Sequence, residues 1–204
     1  MGSRGTKKAI SFLIMCGLWM ALARADAKSV DKSISHLTLG QLTVGNQLPP
    51  FNAFVSYNDP NWSLKRMLRK NLESKTHDRF VLSFFRTDCP PCLTGLKTLK
   101  DHHSVLAHQG IHIVLINYNE RPRTVDTWLE HNGLKGVFFV GYDKYGYSGT
   151  EYGITTSSGG QAPSANLPLT VILNGHGVVQ RIITAEGTDY IDLIKSPFSF
   201  RDPP

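Results

Sequence analysis

"FVLSFFRTDCPPC", residues 80–92, decides how the rest of the chain is read. Residues 80–85 are short, apolar apart from Ser83 and bounded by polar positions, which suits a buried strand. Residues 89–92 are two cysteines with only prolines between them. Such a pair can be a redox couple, half of a metal site, or a staple on a turn. Beyond it, Leu93, Leu96, Leu99, Val105 and Leu106 recur at helical spacing across residues 92–109, with Gly110 to close. The pair therefore stands where a helix starts. With Cys89 as N-cap, Pro90 and Pro91 fall in the first turn, where a missing N–H forfeits no intrahelical bond. The Cys92 N–H is then free to donate to the Cys89 sulfur, and that bond and the helix dipole both favour thiolate over thiol. Used as a redox couple, an acidified, accessible Cys89 would attack a disulfide, and Cys92, one turn inward, would resolve the mixed disulfide.

On either side the pattern alternates strand and helix. Residues 62–72 carry Leu64, Met67 and Leu68 on one side of a helix. Residues 111–116 (IHIVLI) read as a second buried strand, 124–132 as a helix and 137–140 as a third strand. A Gly/Ser/Tyr-rich stretch, 141–166, follows. Then "LPLTVIL" and "VVQRIIT" flank Asn174-Gly175-His176-Gly177, a strong hairpin signal. Residues 188–195 suit a last helix and 197–204 a frayed tail. With no repeats and no second core, this is one α/β domain with a mixed sheet.

The N-terminus has another character. Arg4, Lys7 and Lys8 precede an apolar run, residues 9–23, followed by small residues in A-x-A frames at Ala23–Ala25 and Ala25–Ala27. That is the layout of a secretory signal peptide, and fifteen apolar residues are short for a bilayer span. The expectation is export, to the periplasm or another extracytoplasmic space, with membrane contact only through the signal or a retained anchor. Removing residues 1–25 takes away Arg4, Lys7, Lys8 and Arg24, so the formal charge falls from +6 to +2 and argues for no nucleic-acid partner. It also removes Cys16, leaving Cys89 and Cys92 alone. A single short loop is unlike a disulfide-stapled scaffold, which needs several bridges. Zinc is the competing use, since His103 and His108 complete a C-x2-C-x10-H-x4-H spacing. The loop is short for a finger, however, and an apolar strand leads into the pair.

"FVLSFFRTDCPPC", with "NLPLTVILNGHGVV" (residues 166–179) some 75 residues on, resembles the TlpA/ResA-like group of thioredoxin-fold proteins, within the wider redoxin superfamily. "VGNQLPPFNAF" is similar to that group's lead-in, and "EYGI" at 151–154 to its segment before an essential proline. The resemblance covers roughly residues 45–195. It implies a thioredoxin-like α/β fold, a central mixed sheet flanked by helices, with an N-terminal extension. The expected organisation is signal peptide 1–25, linker or extended lead-in 26–44, thioredoxin-like domain 45–196 and tail 197–204.

By the same resemblance the chain is an exported thiol-disulfide oxidoreductase acting on protein disulfides or thiols, with no cofactor beyond the redox-active Cys89–Cys92 pair. Its direction is expected to be reductive, as in cytochrome c maturation, with a membrane or periplasmic electron donor or acceptor. Pro168 would be the group's proline, in cis, with Leu167 offering backbone to substrate. Three positions depart from the pattern. Asp88 replaces a bulky residue before the first cysteine, where a carboxylate opposes the thiolate unless Arg86 offsets it. Ser83 and Gly95 stand where relatives carry the acid that accepts the proton of the second cysteine. The segment 155–166 is longer than usual and runs into the proline, where it could shape partner choice.

Two other uses of the fold compete. A thiol peroxidase of the redoxin superfamily has a P-x-x-x-T-x-x-C pattern, and here Leu82 and Arg86 occupy the proline and threonine places. A copper-handling module of the SCO type uses C-x-x-x-C and a histidine before the hairpin, whereas His176 lies at its tip.

Overall fold

In the computed structural model of the chain, the described residues are 38–39, 42–48, 55–56, 64–74, 78–143, 146–156, 164–184 and 189–196. All belong to one compact unit, residues 37–204. The segment expected to be a signal peptide, much of the expected lead-in and the expected tail lie outside them.

The strands are β1 (Thr38–Leu39), β2 (Leu42–Thr43), β3 (Val55–Ser56), β4 (Arg79–Phe85), β5 (Ile111–Tyr118), β6 (Phe139–Asp143), β7 (Thr155–Thr156), β8 (Ser164–Ala165), β9 (Leu169–Leu173) and β10 (Val179–Ile183). The helices are α1 (Leu64–Ser74), α2 (Pro90–His108), α3 (Pro122–His131), α4 (Tyr147–Glu151) and α5 (Tyr190–Lys195). Six strands form one sheet in the order β10-β9-β4-β5-β6-β3. β4, β5 and β6 run parallel, while β9, β10 and β3 join antiparallel, so the sheet is mixed.

Burial on both faces explains the near-continuous apolar strands. Val81, Phe85, Ile113, Leu115 and Ile172 point to one face, against Leu96, Leu99 and Leu106 of α2, Val125 and Leu129 of α3 and Ile194 of α5. Phe80, Leu82, Phe84, Val114 and Ile116 point to the other, against Leu64 of α1 and Tyr152 and Ile154. Two parallel crossovers, through α2 and α3, place both helices on the same face and both strand-to-helix turns at the C-terminal ends of the parallel strands.

Several sequence expectations shift here. The third strand is Phe139–Asp143 rather than 137–140, because pairing of Val114 with Phe139 through Tyr118 with Asp143 sets its register. Val137 and Phe138 are apolar because they cover the core from the preceding turn. Val105, counted on the inner stripe of α2, is 47 % exposed. With Leu96, Leu99 and Leu106 inward, it lies about 100° past Leu106 around the helix and opposite Leu96, outside the stripe. The 141–166 stretch contains α4 and the β7–β8 pair; residues 157–163 lie outside the described ones. The hairpin forms at the expected place. Asn174 Oδ1 accepts from the His176 and Val178 N–H groups, and Gly177 takes φ 81°, a left-handed value suited to glycine.

Candidate functional site

The turn Arg86–Asp88 delivers the chain from β4 to α2. Cys89 is the N-cap of α2, with φ −110° and ψ 95°, and Pro90 and Pro91 fill the first helical positions. The Cys92 N–H donates to Cys89 Sγ at 3.2 Å. A sulfur thus takes the place that a serine or aspartate oxygen takes at an ordinary helix start. Cys89 is half-buried and the two prolines are exposed. Cys92 is 1 % exposed, inside the core that α2 shares with the sheet. The two cysteines are joined by a disulfide, Cα atoms 5.3 Å apart. The arrangement is asymmetric: Cys89, half-buried, stands at the positive end of a helix, and Cys92 lies buried behind it.

Asp88 and Arg86 pair with each other. Arg86 Nε and one guanidinium NH2 group donate to the two Asp88 carboxylate oxygens, each at 2.8 Å. The hydrogen bond from Arg86 holds the Asp88 carboxyl below its ordinary range, and the same bond raises Arg86. The anion beside Cys89 therefore has a cation matched to it.

Pro168 is buried and Leu167 half-buried, and the bond between them is cis. Leu169 pairs with Phe84, so in antiparallel register the residues before Leu169 run alongside the end of β4 and toward the cysteine turn. Leu167 and Cys89 both pack on the rim of the same core. The histidines of the zinc spacing are otherwise engaged. His108 Nδ1 lies 2.7 Å from Ser104 O, and His103 meets the Phe138 ring edge-on.

Sequence reasoning missed one group of residues at this site. Glu120, in the turn between β5 and α3, reaches back to the cysteine turn. Its carboxylate accepts from Thr87 N–H at 2.8 Å, from Thr87 Oγ1 at 2.6 Å and from Asn117 Nδ2 at 2.6 Å. Asn117 is fully buried, and its Nδ2 also donates to Phe85 O at 3.4 Å. The one local signal is a repeated spelling: Asp88-Cys89-Pro90 and Glu120-Arg121-Pro122 both read acid, N-cap, proline.

A family model described as the AhpC/TSA family matches residues 44–182. The chain belongs to the AhpC/TSA family. It is 29% identical over 119 residues to the thiol-disulfide oxidoreductase ResA of Halalkalibacterium halodurans, a match covering 56% of this chain and 61% of that protein. The chain thus spans somewhat under two thirds of the length of that curated relative. Among solved structures it is similar to the thioredoxin domain of a thiol-disulfide oxidoreductase from Bacteroides vulgatus, with TM-score 0.57 and 12% identity, over 76% of this chain and 96% of that one. It is also similar to the peroxidoxin BcpB of Mycobacterium tuberculosis, with TM-score 0.59 and 16% identity, over 74% of this chain and 92% of that one. At such identities the structures speak for the fold alone. The fold of this AhpC/TSA member is thioredoxin-like.

Proposed function

We propose that this AhpC/TSA member is an exported thiol-disulfide oxidoreductase that exchanges disulfides with protein substrates through Cys89 and Cys92. The observation that carries the reading is the sulfur N-cap: Cys89 Sγ accepts the Cys92 N–H at the start of α2, with Cys92 buried behind it. That bond and the helix dipole stabilise a thiolate on the accessible member of the pair. In the reduced form, the Cys89 thiolate attacks one sulfur of a substrate disulfide and expels the other as thiolate. Cys92, as thiolate, then attacks Cys89 Sγ in the mixed disulfide and releases the second substrate sulfur. Two electrons pass to the substrate and the Cys89–Cys92 bond forms. A dithiol donor, at the membrane or in the periplasm, restores the pair. The position of Leu167 and Pro168 alongside the end of β4 supports assigning the substrate backbone to that segment.

Net reduction, as in cytochrome c maturation, is the direction we assign, with residues 45–196 as the working domain behind a signal in residues 1–25. Export rests on that basic and apolar N-terminal segment. Among the described residues no helix is long and apolar enough to cross a membrane. The peroxidase alternative finds no support at the site, because Arg86, at the place of the peroxide-orienting threonine, is tied to Asp88.

Insulin reduction by dithiothreitol tests the proposal. The chain accelerates it, Cys89→Ser abolishes the acceleration, and Cys92→Ser accumulates mixed disulfides. Turnover of hydrogen peroxide without insulin reduction would instead indicate a peroxidase. Equilibration against glutathione buffers sets the direction, since pairs of this spacing span about 150 mV.

A further inference from the structure

The turn that presents Cys89 is weakly held by itself. Its own closing bond, Cys89 N–H to Arg86 O, is 3.4 Å long, at the outer limit for a hydrogen bond. The Arg86–Asp88 pair spans the turn but faces solvent, with Asp88 64% exposed. The firm attachment comes from a different element. Glu120 takes both donors of Thr87, backbone and hydroxyl, on its two carboxylate oxygens. Hydrogen bonds to an ionised group are roughly twice as strong as neutral ones.

Glu120 is itself fixed from two sides. Asn117 Nδ2 donates to it at 2.6 Å from a fully buried position beside the end of β4, where its contact with Phe85 O is a long 3.4 Å. Behind Glu120, Asn119 adopts φ 53° and donates its N–H to Asp143 O at 3.0 Å, which ties the turn to β6. Asparagine tolerates that left-handed conformation better than most residues. A rigid strand pair therefore carries a carboxylate whose remaining acceptor sites point at residue 87, two positions before the sulfur.

We infer that Glu120 is a positioning residue for Cys89: it clamps Thr87 and so holds the sulfur in its N-cap alignment with the Cys92 N–H. The inference rests on the reading of Cys89 as the attacking sulfur. Loosening the clamp lets residues 87–89 wander, and the bond that favours the thiolate is made for less of the time.

The test is peptide-resolved alkylation of Cys89 by iodoacetamide in the reduced full-length chain, across pH and well below the melting temperature. Thr87→Val removes the hydroxyl donor and keeps every charge and the branched shape. It shifts the alkylation profile to higher pH and slows alkylation at pH 7 about threefold, as expected for a modest rise in the thiol pKa. Thr87→Ser, which keeps the hydroxyl, follows the wild-type profile. Glu120→Asp, which keeps the charge but draws it back by one methylene, repeats the slowing and serves if Thr87→Val does not fold. An unshifted profile in Thr87→Val or in Glu120→Asp overturns the clamp, as does an equal shift in Thr87→Val and Thr87→Ser. Alkylation needs no substrate disulfide, so the two readings fail separately. A wild-type chain inactive on insulin but with the expected profiles loses the proposed function and keeps the clamp.

Discussion

The two turns at the C-terminal end of the parallel strands, β4 to α2 and β5 to α3, are built alike and differ in their bonding. Each leaves a parallel strand, passes an acid and an N-cap residue, and starts a helix on proline. In the first, the N-cap is Cys89, whose sulfur accepts from the helix. In the second, the N-cap is Arg121, whose side chain makes no capping bond. The acids differ as well. Asp88 turns outward to Arg86, whereas Glu120 turns across to Thr87 of the neighbouring turn. The same local frame thus yields a sulfur-capped helix start once and, once, a carboxylate that bonds across to it. Proline starts a helix in either case; only the atom at the N-cap makes a start chemically useful.

The strongest way to break this comparison is to exchange the N-caps' contributions. Cys89→Ser keeps an oxygen cap and the helix, yet insulin reduction is lost. Arg121→Ala at the equivalent place alters stability by less than about 0.5 kcal/mol and leaves the rate near wild type. Next comes the support beneath the first helix. Leu96→Ala, fully buried under α2, costs about 2–5 kcal/mol in urea unfolding. Val105→Ala on the same helix, 47 % exposed, costs under about 1 kcal/mol, and equal losses would show that α2 is seated differently.

A smaller effect separates the two turns by backbone. Asn119→Val forces a β-branched residue to φ 53° and costs about 1–2 kcal/mol. Asn119→Gly restores most of that in thermal melts. The weakest is Asp88→Asn. The Arg86 hydrogen bond lowers the Asp88 carboxyl, so its contribution is present above the ordinary carboxylate range. It is lost as pH falls through the lowered value. At 64% exposure the pair contributes under about 1 kcal/mol at pH 7. The gap in stability between wild type and Asp88→Asn should close in acid, and a gap that persists there would assign the difference to packing.

Much of the first turn was legible without coordinates, because a strand, a polar break, a sulfur N-cap and prolines are all neighbours in sequence. Asn174-Gly175 announced the hairpin for the same reason. The β6 register and the exposure of Val105 were not legible. An apolar residue covering the core from a turn, or lying beside an inner stripe, adds to the same local hydrophobic signal as one in a strand or on the stripe. Apart from the repeated acid, N-cap, proline spelling, nothing near residue 89 pointed to Glu120, 33 positions from Thr87.

By itself the sequence determined where the sulfur stands on its helix, since N-cap preference and the first-turn tolerance for proline act over four residues. Only the tertiary structure decided what steadies that sulfur and what lies beside it. Parallel pairing of β4 with β5 brings Glu120 to Thr87, and antiparallel pairing of β4 with β9 brings Leu167 and Pro168 alongside. Those neighbours follow from strand order and register, and a one-residue slip in either would turn the same side chains to the opposite face.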